Sequence, residues 1–376
     1  MRPWRAQRLL KYLRPKKSLW LKAVVVLLTL PIQIVFRPRT INRPVSQDEK
    51  PGDSTTAGPV IFDSGPDADE YGAAEEYPIG GRSTFNLTRY LVGSYSHFYT
   101  ILPTRTVDRA REEWSFDRAP NEPAIRYLYR GKRLSLADYL ARNPVTGLLI
   151  AKDNLILAER YQYNRTDHDL FMSQSMVKTI TAMRVGIAVS EDLIRSVDDT
   201  VATYVPELRQ TEYGATSIRD LLHMSSGIAF REEYDESDDI SRLGRDLLTK
   251  SGKTMAEIIG QSNVRVAPAG TRFQYAGIET EILCFALRSV TNRSLSHYLS
   301  DKIWQPIQAE SVAFWGIDEF GMELAYCCFN TVLRDYARLA RLLASDGIWQ
   351  GREIIPRQWI IDATTVHPSG SAFGLR

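Results

Sequence analysis

The chain has 376 residues, of which 44% are hydrophobic and 24% charged, and its net charge is +2. These values are typical of a globular protein with one or two domains, and they give no reason to expect nucleic-acid binding. The histidines show no metal-ligand spacing, so neither a metal nor a cofactor is predicted.

The N-terminal segment combines basic and apolar residues. Lys and Arg crowd positions 1–17, and an apolar run follows over 18–36. A helix of that length nearly matches the apolar core of a bilayer. Arg37-Pro38-Arg39 suits a signal-peptide cleavage site poorly. An uncleaved single-pass transmembrane helix at 18–36 is therefore predicted, with a cleaved signal as the alternative. The basic residues predict a bacterial inner-membrane protein whose bulk is periplasmic or extracellular.

Residues 37–82 differ in composition from the rest of the chain. From Ser46 to Gly81 the sequence is rich in Asp, Glu, Pro, Gly and Ser and lacks apolar periodicity. Such a segment buries too little apolar surface to order itself, so a flexible acidic linker is predicted over 37–82. Tyrosines and apolar residues return near Phe85, which predicts a folded domain over 85–376.

The start of this domain shows strand and helix signals. Two apolar runs on either side of Lys152-Asp153-Asn154 predict a hairpin over 146–161. An apolar-periodic stretch behind Ser175 predicts a helix, and Ser173 lies in its cap region. Strands followed by helices, with further strands expected at the end, indicate an α+β fold. We expect an antiparallel sheet flanked by helices and a helical subdomain.

Helical spacing recurs in the second half of the chain. Helices are predicted at 216–224, with Thr216 as its cap, and at 277–307 and 331–345. The three cysteines form an odd set without a Cys-x-x-Cys pair, and free thiols are predicted at Cys284, Cys327 and Cys328.

One short motif carries the chemistry. Ser175-Met176-Val177-Lys178 is the only Ser-x-x-Lys in the chain, and residues i and i+3 lie on one face of a helix. If burial removes its charge, Lys178 can act as general base for a serine nucleophile. Alone the motif is weak, but here it opens a helix, whose N-terminal N–H groups can stabilise an oxyanion. Tyr275 follows a turn made by Pro268 and Gly270, which can present its side chain to a cleft.

The combination of segments resembles the serine β-lactamase and penicillin-binding-protein-like superfamily. The likeness is nearest to the class C-like branch and, within it, to the 6-aminohexanoate-dimer hydrolase type. It runs from about residue 85 to the end. The segments that carry it are Thr146–Tyr161, Phe171–Thr179, Val197–Leu208, Leu221–Gly227, Pro268–Tyr275 and Thr331–Arg338.

The resemblance implies roles for four residues. Ser175 would be the nucleophile that forms an acyl-enzyme, and Lys178 would take its proton. Tyr275 would relay a proton to the leaving group, and Tyr234 would contact the substrate. The resemblance thus implies a serine hydrolase that cleaves a small-molecule amide or ester. The alternatives are a D,D-peptidase or D-aminopeptidase that acts on peptidoglycan peptides, and a non-catalytic envelope protein that keeps the fold.

Two departures from the family pattern affect this expectation. The second motif is usually Tyr-x-Asn, but here Gly277 follows Tyr275-Ala276 and offers no amide. This speaks against efficient β-lactam hydrolysis. The third motif, on an edge strand, is absent, since His367-Pro-Ser-Gly370 has the wrong spacing. Phe373–Arg376 resembles the start of the preceding strand, so the chain is expected to stop before its closing strands and to lack one oxyanion donor.

Overall fold

The computed structural model describes residues 23–29, 58–235, 237–248 and 251–365, which fall into two compact units. Of the described residues, the sheet unit holds those up to Ser94 together with Phe116–Asp167. The helical unit holds Tyr95–Ser115 and the described residues from His168 to Thr365. The α+β class predicted from the sequence is confirmed. Phe373–Arg376, which was expected to begin the strand before the third motif, lies outside the described residues.

The sheet unit is built on a hairpin. Strands β7 (Val145–Lys152) and β8 (Leu155–Tyr161) pair antiparallel. Asp153 turns the chain with φ of 54°, a left-handed conformation that aspartate tolerates better than most residues. The hairpin predicted over 146–161 is therefore confirmed. The other strands of this sheet are β1 (Ala23–Thr29), antiparallel on β7, and β2 (Val60–Ile61) and β4 (Asp117–Arg118), both parallel on β8.

The helix predicted over 18–36 is not supported. Residues Ala23–Thr29 form β1, and the rest of that segment lies outside the described residues. A short apolar run rich in Val fits a buried strand as well as a helix, and periodicity alone does not separate the two. In the described ranges, no helix has the length and apolar character needed to cross a membrane. The inner-membrane location stays a prediction, which cell fractionation would test.

Part of the predicted linker is packed. Residues 58–82 bury the rings of Tyr71 and Tyr77. The Tyr77 hydroxyl donates to the Asp63 carbonyl at 3.0 Å, and the Tyr163 hydroxyl donates to the Pro66 carbonyl at 2.8 Å. Composition suggested that the segment could not order itself, but two tyrosines supply the apolar area and the hydroxyl of a third anchors the backbone.

The sheet unit also contains a second hairpin and a short helix. Strands β5 (Arg126–Tyr129) and β6 (Lys132–Ser135) pair antiparallel and lead into helix α2 (Leu136–Leu140). Ser135 caps this helix by accepting from the Asp138 N–H, and Asp138 accepts from the Ser135 N–H in return. Leu140 then packs with Val145 and Leu148 at the start of β7. Helix α1 (Leu91–Ser96) precedes all of these elements in the chain.

The helical unit surrounds a four-stranded antiparallel sheet in the order β3, β10, β11, β9. These strands are β3 (Thr104–Val107), β9 (Phe171–Met172), β10 (Ala313–Gly316) and β11 (Phe329–Thr331). A small hairpin of β12 (Ile348–Trp349) and β13 (Arg352–Glu353) follows near the end. The helices are α3 (Val177–Ser190), α4 (Ile218–Leu222), α5 (Asp239–Leu248), α6 (Met255–Gly260), α7 (Gly277–Thr291), α8 (Leu295–Leu299), α9 (Leu333–Ala344) and α10 (Arg357–Thr364).

Helix α3 forms the centre of this unit. It packs against α7 on one side and α10 on another. The Trp359 indole of α10 donates to the Ala182 carbonyl at 3.1 Å. A Cβ atom at Gly186 would lie 2.5 Å from that indole, so the absent side chain allows the two helices to approach closely. The first turn of α3, which holds Lys178, is thus part of a well-packed core helix.

The later helices are shorter than predicted. The helix predicted over 277–307 ends at Thr291, because Asn292 adopts φ of 50°, and α8 follows after a cap by Ser294. The segment predicted over 331–345 begins as strand β11 and becomes helical at Leu333. Ser217 caps α4 in place of Thr216, whose hydroxyl donates to the Glu212 carbonyl. In each case a polar side chain or strand partner decided the boundary.

Candidate active site

Ser175 and Lys178 lie at the junction between a strand and a helix. Strand β9 ends at Met172, a 3-10 turn covers Gln174–Met176, and α3 begins at Val177. Ser175 is exposed and Lys178 is half-buried. Lys178 Nζ donates to Ser175 Oγ at 3.0 Å. The predicted reach of Lys178 is confirmed, although Ser175 lies in the turn before the α-helix and Ser173 makes no cap bond.

The turn that holds Ser175 is unusual in its backbone. Gln174 has φ of 45°, a left-handed conformation that is uncommon for a residue with a long side chain. The Ser173 N–H donates to the Phe329 carbonyl at 2.7 Å, which extends the β9–β11 pairing to the edge of the turn. Backbone strain of this kind concentrates at functional sites. The pairing also brings residues just before β11 next to Lys178.

Tyr326, a residue that precedes β11, supplies the second contact of Lys178. Its carbonyl accepts from Lys178 Nζ at 2.9 Å. The same nitrogen lies 5.2 Å from the ring centroid of Tyr275 and 5.8 Å from that of Tyr326, both within cation–π range. In the part of the chain that the structure describes, no carboxylate forms an ion pair with Lys178. The amine is therefore surrounded by oxygen acceptors and ring faces.

Tyr275 is brought to the site by the loop before α7. The Gln274 N–H donates to the Met224 carbonyl at 2.8 Å, and the Gly270 N–H donates to the Ser225 carbonyl at 2.8 Å. These bonds tie the predicted Pro268–Gly270 turn to the end of the segment that follows α4. The half-buried Tyr275 ring then faces Lys178, so three of the four residues named from the sequence come together.

Tyr234, the fourth residue, lies on an acidic loop. Its side chain is 65% exposed, and its hydroxyl donates to Glu232 Oε1 at 2.5 Å. The loop turns around the buried Asp238, whose carboxylate accepts from the Glu233 and Tyr234 N–H groups. Burial works against the charge of Asp238, but these bonds and one from Ser241 lower its pKa overall. An acidic loop is expected to be solvated throughout, but Asp238 is buried.

Glu232 reaches the second motif, which sequence reasoning missed. Its Oε2 accepts from the Gly277 N–H at 2.5 Å. A Cβ atom at Gly277 would lie 3.2 Å from that oxygen and 3.4 Å from Tyr326 Cβ. A carboxylate thus lies beside the position from which the amide of a Tyr-x-Asn motif would project. No local sequence signal connects the two residues, because they are 45 positions apart.

Two carboxylates, those of Glu232 and Glu281, act on the phenol of Tyr326. Burial raises the pKa of its phenol, and the negative charges of Glu281 and Glu232 raise it further. Its hydroxyl therefore stays protonated at any ordinary pH. Tyr326 was not named from the sequence, since its backbone carbonyl makes the decisive contact and any residue type supplies a carbonyl.

The cysteines next to Tyr326 correct another prediction. Cys327 and Cys328 are joined by a disulfide, whereas free thiols were predicted. Counting cysteines and looking for spaced pairs overlooks bonds between adjacent residues. Cys284 is free and buried, as predicted. Within the described ranges, no group of three or more His, Cys, Asp or Glu residues is arranged to hold a metal ion.

Comparison with known proteins extends these observations. Residues 136–360 match the family model described as Beta-lactamase. A 6-aminohexanoate-dimer hydrolase of Paenarthrobacter ureafaciens is 25% identical over 272 residues, which are 71% of this chain and 68% of that protein.

Two further relatives share less sequence. A protein of Escherichia coli (strain K12), provisionally named a D-alanyl-D-alanine carboxypeptidase, is 26% identical over 195 residues, or 46% of this chain and 43% of that protein. A solved structure from Bacillus anthracis, provisionally named a 6-aminohexanoate-dimer hydrolase, superposes with a TM-score of 0.70. It is 23% identical and covers 77% of this chain and 80% of its own, which shows the fold alone.

Proposed function

Since this chain belongs to the beta-lactamase family, we propose that it cleaves a small amide or ester through an acyl-enzyme on Ser175. The observation that carries the proposal is the 3.0 Å contact between Lys178 Nζ and Ser175 Oγ, beside the Tyr275 ring. A serine hydroxyl becomes a nucleophile when a base lies within hydrogen-bond distance. Lys178 is the only amine in contact with Ser175 among the described residues.

The proposed reaction has two halves. In the first, Ser175 Oγ attacks the substrate carbonyl carbon while its proton passes to the amine of Lys178. The oxyanion accepts from the Ser175 backbone N–H in the turn that precedes α3. The bond to the leaving group then breaks, and Tyr275 relays the proton to the leaving amine or alcohol. In the second half, water attacks the acyl-enzyme and releases the acid product and free Ser175.

Covalent labelling tests this proposal without knowledge of the substrate. A fluorophosphonate probe should phosphonylate Ser175 in the folded chain and leave it unlabelled after heat denaturation, because only the native site activates the hydroxyl. Peptide mapping by mass spectrometry identifies the modified serine. Folded protein that takes up no probe would overturn the proposal and favour the non-catalytic alternative, in which the fold serves binding.

The substrate class is a second part of the proposal and rests on Glu232. A carboxylate only accepts hydrogen bonds, whereas the asparagine usual at this motif both accepts and donates. Glu232 therefore favours a substrate with an ammonium or N–H donor near the scissile bond, and it repels the carboxylate of a β-lactam. The Paenarthrobacter relative is named for a dimer of an amino acid, 6-aminohexanoate.

Replacing Glu232 by Gln should separate these substrates. For an amino-bearing amide or ester, loss of a charge-assisted bond should lower kcat/KM about 10- to 100-fold. For a neutral ester of similar shape, kcat/KM should stay within about threefold, since Gln still accepts from the Gly277 N–H. Glu233→Gln is the matched control. Glu233 is adjacent in sequence and exposed, whereas the Gly277 N–H donates to Glu232. An equal loss for both substrates would show that Glu232 has no part in selectivity.

The carboxypeptidase alternative predicts the opposite effect of Glu232 on substrate binding. A D-alanyl-D-alanine substrate carries a carboxylate on its leaving group, which a nearby Glu232 would repel. The Glu232→Gln variant should therefore accept such peptides better than the native protein does. The similarity to the Escherichia coli relative, which spans 43% of that protein, is the observation in favour of this alternative.

A further inference from the structure

The segment Leu324–Cys328, here called the strap, carries the carbonyl that holds Lys178. Its two ends are tied to β10: the Leu324 N–H donates to the Gly316 carbonyl, and the Gly316 N–H donates to the Cys328 carbonyl, each at 2.9 Å. Between these ends, where the Tyr326 carbonyl meets Lys178, the strap makes no backbone bond to β10 among the described residues, and the Cys327 N–H donates to the Leu324 carbonyl at 3.2 Å. A side chain from α7 also holds its backbone.

That side chain is Glu281. Its Oε2 accepts from the Ala325 N–H at 2.7 Å, one residue before the carbonyl that meets Lys178. Glu281 lies one helical turn after Gly277, so both face the same side of α7. It is fully buried, and its Oε1 contacts no hydrogen-bond partner within the described residues. A buried carboxylate is costly, and an apolar residue at this position would avoid that cost.

The groups around Glu281 that affect its pKa include Lys178. Burial raises its pKa well above the ordinary value, and the neighbouring Asp318 and Glu323 charges act in the same direction. The Ala325 hydrogen bond and the positive charge of Lys178 oppose this shift. The charge of Lys178 is therefore one of the charges that act on the carboxyl group of Glu281.

We propose that Glu281 is a positioning residue for acylation: it holds the Ala325 N–H so that the Tyr326 carbonyl keeps Lys178 against Ser175. The inference rests on the proposed function, because it assigns Lys178 as the base. The lysine side chain has four rotatable bonds and needs two acceptors to stay in one geometry. A displacement of about 1 Å at a reacting group can cost about 100-fold in rate.

Variants of two glutamates on α7 test this inference. Glu281→Gln keeps an oxygen that accepts from Ala325, so the rate of fluorophosphonate labelling at Ser175 should stay within about threefold. Glu281→Leu removes that acceptor and should slow labelling about 10- to 100-fold. For an ester substrate, kcat should fall by a similar factor while KM changes less than about twofold, since substrate contacts remain.

The matched control is Glu279→Leu. Glu279 is also buried on α7, but its carboxylate accepts from Ser226 and not from the strap. If the contact with the strap is what matters, the labelling rate of Glu279→Leu should remain within about threefold of the native rate. Circular dichroism and thermal melting confirm that each variant is folded. If Glu281→Leu does not fold, Glu281→Met, closer in shape to glutamate, replaces it in the same comparison.

The outcomes separate this inference from the proposed function. Native protein that does not label overturns both. Native protein that labels, with Glu281→Leu folded and equally fast, overturns the role of Glu281 alone. Equal slowing in Glu279→Leu also overturns it, because the effect would then come from a general disturbance of α7.

Discussion

Replacing Ser175 by Ala is expected to lower kcat for an ester or amide by about 10⁴- to 10⁶-fold, the range seen when a catalytic serine is removed. The variant keeps the turn before α3, since Ser175 contributes only its hydroxyl to the contact with Lys178. The residual rate should come from substrate binding and oxyanion stabilisation alone. Steady-state kinetics with an active-site titration of the native protein measures the change.

Ser190→Ala provides the control for this experiment. Ser190 ends the same helix, and its hydroxyl donates to the Ile187 carbonyl, far from Lys178 in the helix. Its kcat should be unchanged within about twofold. If Ser175→Ala kept more than a tenth of the native rate, the nucleophile would have to be sought elsewhere, and the acyl-enzyme on Ser175 would be excluded.

Replacing Lys178 by Met is expected to lower kcat/KM by about 10³- to 10⁴-fold, because it removes the proton acceptor and keeps the apolar stem. Lys178→Arg should be nearly as inactive, since a guanidinium does not give up its proton.

Steady-state kinetics of the native protein and both variants provides the measurement. Turnover that depends on Lys178 would refute the non-catalytic alternative. A Lys178→Met variant within tenfold of the native rate would show instead that another group takes the Ser175 proton. Tyr275, whose ring centroid lies 5.2 Å from Lys178 Nζ, would then be the first candidate.

Much of the site could be predicted because its chemistry is local. The Ser-x-x-Lys spacing and the start of a helix are enough to bring Lys178 to Ser175, and the contact at 3.0 Å follows from one helical turn. The hairpin of β7 and β8 was predictable for a similar reason, since a tight turn joins two apolar runs. The predicted family is confirmed by the match over residues 136–360.

Other predictions failed where distant partners decide the local structure. The apolar run near the N-terminus was predicted to be helical, but Ala23–Thr29 pairs with β7. The acidic loop around Glu232 has the composition of a solvated segment, but Asp238 is buried and accepts hydrogen bonds from its own loop. The composition of a segment describes what that segment tends to do alone. It does not show which hydrogen-bond partners the fold brings to the segment, and such partners decided both cases.

The sequence by itself therefore indicated the proposed nucleophile, its proposed base and the family. Only the tertiary structure decided what surrounds them. Lys178 meets a carbonyl 148 positions away, Gly277 meets Glu232 over 45 positions, and Glu281 reaches Ala325 over 44. Contacts within one turn follow from the fixed geometry of a helix, whereas long-range contacts depend on how strands pair and helices pack. For this reason the groups proposed to position Lys178 and select the substrate became visible only in the folded chain.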